Sequence, residues 1–76
     1  MELKRNRYVI MRENRTEIFC GLAQNYKFKK IEELKNTPVK TYGSSKIAHN
    51  SFLSSWRNID FDWEVVPVCE VLTWEE

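Results

Sequence analysis

The stretch SSKIAHNSFLSSW, residues 44–56, holds all five serines of this 76-residue chain and its single histidine. Serine beside histidine is the raw material of nucleophilic catalysis, in which the imidazole takes the hydroxyl proton and a third group orients the imidazole. Ser45 and His49 are four residues apart, so on a helix they share a face. The third group is missing, because no carboxylate lies within 44–56. The GxSxG pattern that exposes a nucleophile at a strand-to-helix turn is also missing. A serine at 44 or 45 is better used to cap a helix start, where its oxygen accepts an orphan amide proton. A chain of this size also has little room for a substrate pocket of roughly 300 Å³. The expectation is a capped helix with His49 at its border, and no enzyme.

Other chemistry is weaker still. Asp60, Asp62 and Glu64 are spaced two apart, like the start of a calcium loop, but the central glycine and distal glutamate of that loop are missing from VVPVCEV at 65–71. Cys20 and Cys69 are far apart and form no CxxC, so no metal site and no cofactor is expected. Both lie in apolar, strand-like segments, which predicts buried free thiols. Gly21 and Gly43 are the only glycines, too few for a phosphate-cradling loop.

The elements that must position these residues follow from the pattern. RYVIMRE (7–13) and TEIFCGL (16–22) read as two strands joined by a turn at Asn14-Arg15, a β-hairpin. Tyr26 and Phe28 alternate with Lys27 and Lys29, which predicts an extended segment. IEELKN (31–36) has the spacing for one or two helical turns, ended by Pro38. VKTY (39–42) reads as a short strand. An amphipathic helix is expected over about 45–57, with Ile47, Ala48, Ser51, Phe52, Ser55 and Trp56 on the half facing the sheet and Leu53 on the outer half. After the loop NIDFDW (58–63), residues 63–74 are Val-rich. Pro67 makes this an edge strand or one with a bulge. Strands with one main helix on a single face imply an α+β fold, a small, mostly antiparallel sheet in one domain spanning 1–76. Apolar residues at 42% and aromatics at 13% exclude a disordered chain. No apolar run approaches a membrane span, and MELKRNRYVI has no signal-peptide core, so a cytoplasmic protein without membrane association is expected.

The net charge of +1 conceals a gradient. Lys and Arg outnumber Asp and Glu by eight to three over residues 1–30, whereas residues 58–76 carry six acids and no base. The two ends could pair across a sheet. Two contact surfaces also emerge. One is acidic and aromatic: Asp60, Asp62, Trp63 and Glu64, with Glu70, Trp74, Glu75 and Glu76. Such a patch suits a basic protein surface, including that of a nucleic-acid-binding protein. The other is basic and aromatic: Arg5, Arg7, Tyr26, Lys27, Lys29 and Lys30, residue types that neutralise phosphates and stack on bases. A third alternative is a structural homodimer joined through the Val-rich edge strand.

RYVIMRENRTEIFCG, TYGSSKIAHNSFLSSW and WEVVPVCEV together resemble a type of small protein encoded by bacteriophages and prophages, with a hairpin, a Ser-capped helix ending near Trp, and a Val-rich strand. Members with known roles commonly bind and block a host protein, and anti-CRISPR inhibitors are one such class. The resemblance implies a non-enzymatic inhibitor or adaptor in the bacterial cytoplasm, and carries over no catalytic residue.

Overall fold

A computed structural model describes residues 1–21, 27–56 and 58–75. The described residues form four strands and one α-helix: β1 (Glu2–Arg12), β2 (Glu17–Phe19), β3 (Phe28–Lys30), α1 (Ser45–Ser55) and β4 (Trp63–Thr73). The sheet runs β3-β2-β1-β4, antiparallel throughout, so the α+β class is as the pattern predicts. The connection through α1 carries the chain from the β3 edge across to the β4 edge. Both β4 and the proline within it therefore lie on an outer strand.

The run Tyr8-Val9-Ile10-Met11 is continuous rather than alternating because β1 is buried on both faces. Val9 and Met11 pack with Ile18, Cys20 and Val66, and this face is covered by Leu34 and Val39. Ile10 packs on the opposite face with Phe19, Tyr42, Ala48 and Phe52, beneath the helix. The single turn at Ile31–Glu33 is where helical turns were expected. VKTY is not a strand: only Tyr42 pairs, in one bridge to Tyr8.

The helix is positioned by its cap and two buried residues. Ser44 is extended, and its hydroxyl accepts the Ile47 N–H at 3.1 Å. Ala48 and Phe52 are fully buried. Ile47 is 55% exposed, contrary to its place on the expected inner half, because the contact stripe is narrowed to the Ala48–Phe52 line. Leu53 faces outward as expected. The helix stops at Ser55 instead of 57, since Trp56 turns extended to fold its ring back on Phe19, Phe28 and Phe61.

Strand β1 begins at Glu2, five residues earlier than its apolar run suggests. Its charged first half is held by a full ladder to β4, from Glu2↔Thr73 to Arg12↔Trp63. Residues 2–6 pair with β4 alone, so these strands leave the body as a two-stranded arm, in a molecule 47 Å long and 22 Å thin. β2 is shorter than predicted, and Leu22, like Tyr26, lies outside the described residues. Cys20 is buried, but Cys69 is exposed on the arm, where no described helix or loop covers its face.

Candidate functional site

The serine-rich helix accounts for most of its own hydroxyls. Ser44 caps the start, while Ser54 and Ser55 donate to the carbonyls of Asn50 and Ser51 at 3.1 and 2.8 Å. The His49 ring stacks against Trp63, 5.1 Å between centroids. Among the described residues, no group of three or more His, Cys, Asp or Glu is arranged to hold a metal ion.

The acidic and aromatic set is divided by the fold. Asp60, Asp62, Trp63 and Glu64 lie at one end of β4, and Trp74 and Glu75 just beyond the other. Ten residue steps separate Glu64 from Trp74, roughly 33 Å of strand. Glu76 lies outside the described residues. Glu70, midway, is hydrogen-bonded by the Arg5 guanidinium on the paired strand. Glu64 accepts from Arg15 Nε at 3.0 Å. The charge gradient along the chain thus closes on itself across the sheet, and only part of the acidic set is left over.

The basic set is divided as well. Arg5 is committed to Glu70, and Arg7 donates to the Thr41 hydroxyl at 3.1 Å. Lys29 and Lys30 lie on β3, the opposite edge of the sheet, and Lys27 just before it. Tyr26, the ring at the head of this motif, lies outside the described residues. The described residues make no continuous basic strip.

What the fold does bring together is the tip of the β1–β2 hairpin and the segment 59–64. The register places Arg12 opposite Trp63, so the turn after Arg12 meets the loop before β4. Between them is an open cleft of about 750 Å³, more room than the length of the chain implies, lined by Arg12, Glu13 and Asn14 on one side and by 59–64 on the other. Phe61 and Trp63 alternate with Asp60, Asp62 and Glu64. The rings turn towards the aromatic cluster under the helix, and the carboxylates stay exposed.

Arg12 fixes this wall. Its guanidinium lies 4.1 Å from the Phe28 ring centroid, 4.6 Å from that of Phe61 and 5.8 Å from that of Trp56, a threefold cation–π contact. Its Nε and Nη2 both reach one Glu17 oxygen at 3.0 Å. The opposite wall is a turn with three consecutive residues in the left-handed region: Glu13 (φ 55°), Asn14 (φ 55°) and Arg15 (φ 64°). Thr16 closes it, donating through N–H and hydroxyl to the Glu13 carbonyl at 3.1 and 2.7 Å. The sequence marked Asn14-Arg15 as a turn, but nothing in it placed Arg12 and Glu13 beside Asp60 and Asp62. That depends on the long-range register of β1 with β4.

The described cations at the cleft are already engaged, Arg12 by Glu17 and three rings, Arg15 by Glu64. Glu13, Asp60 and Asp62 have no ion-pair partner among the described residues. The site is an acidic rim over an aromatic wall, suited to a basic side chain that presents an aliphatic stem. Comparison with protein-family models, with curated proteins and with solved structures finds no match.

Proposed function

We propose that this protein is a small non-enzymatic protein-binding module whose working surface is the acidic and aromatic cleft at 12–14 and 59–64. One observation carries this reading: Arg12 and Arg15 are engaged by internal partners, and Glu13, Asp60 and Asp62 have no ion-pair partner among the described residues, beside the half-buried rings of Phe61 and Trp63. A partner that inserts Lys or Arg there gains ion pairs at the rim and stacks its stem on Phe61 and Trp63. The likeness to phage-encoded proteins suggests a bacterial host protein as the partner, inhibited or redirected in the cytoplasm, with a defence nuclease as one such target. No described helix is long and apolar enough to cross a membrane.

The test is capture from a nuclease-treated bacterial lysate with wild-type protein and with Asp60→Lys/Asp62→Lys. A stoichiometric protein partner that binds wild type with falling affinity as salt rises, and that the double variant loses, supports the reading. Equal retention by the charge-reversed variant would remove the cleft from consideration. Retention of nucleic acid only, from untreated lysate, would move the function to the separated basic residues.

A further inference from the structure

Among the described residues nothing pairs with the outer edge of β4, and the pattern of its open backbone groups is specific. The Met1 and Trp74 backbones exchange both hydrogen bonds, whereas Tyr8 exchanges both of its own with Tyr42 on the other side of β1. By alternation, residues 64, 66, 68, 70 and 72 bond inward to β1. Residues 63, 65, 67, 69, 71 and 73 therefore aim N–H and C=O outward. The N–H that Pro67 lacks is one of these outward donors, so the open edge is interrupted there. Beyond it, Cys69, Val71 and Thr73 form a continuous run of three donor–acceptor residues.

We infer that this run pairs with its own copy, joining two molecules through antiparallel β4 strands with Val71 opposite Val71 at the dyad. In that register Cys69 faces Thr73 of the second molecule, and six main-chain hydrogen bonds form. Pro67 falls opposite Glu75, at the limit of the paired run. A register centred on Cys69 brings Pro67 opposite Val71 and leaves that carbonyl unpaired in both copies. The proline thus disfavours registers centred below Val71 and ends the paired run.

The side chains agree with this arrangement. Glu70 meets Leu72, and each Glu70 is already held by Arg5, so no unneutralised like charges oppose each other. Val71, 48% exposed in the single chain, meets its own copy. Trp74, also 48% exposed, comes beside the half-buried Val68 of the second molecule. Met1, Leu3, Leu72 and Trp74 share one face of the arm and are all more than 40% exposed. The accessible surface of 5775 Å² exceeds the roughly 4,900 Å² expected for a monomer of this mass. The pairing edge is on the arm, away from the cleft, and does not depend on the cleft's partner.

Sedimentation equilibrium of the full chain between about 5 µM and 1 mM tests the pairing. A dimer is expected. Val71→Pro removes only outward donors, which the single chain does not use, and is expected to raise the dimer dissociation constant by about 30-fold with unchanged far-UV circular dichroism. Pro67→Val adds two donors and is expected to tighten it. Thr73→Cys is expected to give a disulfide-linked dimer with Cys69 under mild oxidation, and Thr73→Cys/Cys69→Ser is not. A protein monomeric at 1 mM, or a dimer indifferent to Val71→Pro, would overturn the inference.

Discussion

Removing the guanidinium of Arg12 is expected to be among the costliest polar substitutions in this chain. The side chain is 22% exposed and its Glu17 partner 21%, so solvent screens the pair only partly. A hydrogen bond to a charged group contributes about 1.5–3 kcal/mol, and a partly desolvated cation–π contact about 0.5–2 kcal/mol. These effects share one group and do not add fully. Arg12→Ala should therefore lower stability by about 3 kcal/mol, against roughly 4–11 kcal/mol for a domain of this size. Arg12→Lys keeps the charge but has no planar fork to contact the Phe28 and Phe61 rings while reaching Glu17 through two nitrogens, and about 1–2 kcal/mol is expected. Urea unfolding followed by tryptophan fluorescence reads this directly. With a slope of roughly 1 kcal/mol/M, the midpoint of Arg12→Ala should fall by about 3 M. The alanine variant should also weaken partner binding under conditions where it is still folded, because Phe61 loses its contact with the guanidinium and keeps only those with Phe28 and Trp56. A midpoint within about 0.5 M of wild type would refute the argument that this stack fixes the cleft wall.

Other consequences are equally open to measurement. Ser44→Ala removes the helix cap and should cost about 1 kcal/mol by urea unfolding, whereas Ser45→Ala should be near neutral. Glu13→Gly relieves one left-handed residue of the hairpin turn and should stabilise by about 1 kcal/mol, and Glu13→Val should destabilise by at least as much. Burial pushes the Cys20 thiol above its ordinary 9.0, against a smaller opposing pull from Lys29, and pushes the Tyr42 phenol above its ordinary 10.0. Because the folded chain holds these protons longer than the unfolded one, stability should be constant below about pH 9 and fall as pH rises through the raised values. Thermal unfolding between pH 8 and 11 checks the sign, and Cys20→Val should flatten the first part of the fall. At neutral pH a thiol reagent should modify Cys69 quickly and Cys20 only on unfolding.

The sequence by itself determined the local elements. The Ser-capped amphipathic stretch, the apolar run at Tyr8–Met11, the Asn-containing turn and the proline in the Val-rich strand each carry a short-range signal. Such signals depend on backbone preference and side-chain period, which neighbours a few residues apart decide. The same period misled at Ile47 and Cys69, since it reports which face a side chain occupies and not whether anything covers that face. Residues 2–6 show no strand pattern because their order comes from a ladder to residues 69–73, at the other end of the chain. Only the tertiary structure decided the register of β1 on β4. That register neutralises Arg5 with Glu70 and Arg15 with Glu64, divides both predicted charge patches, and sets Arg12 and Glu13 beside Asp60 and Asp62. Long-range pairing is chosen by the sum of many contacts across the whole sheet. No stretch of sequence read on its own contains that sum.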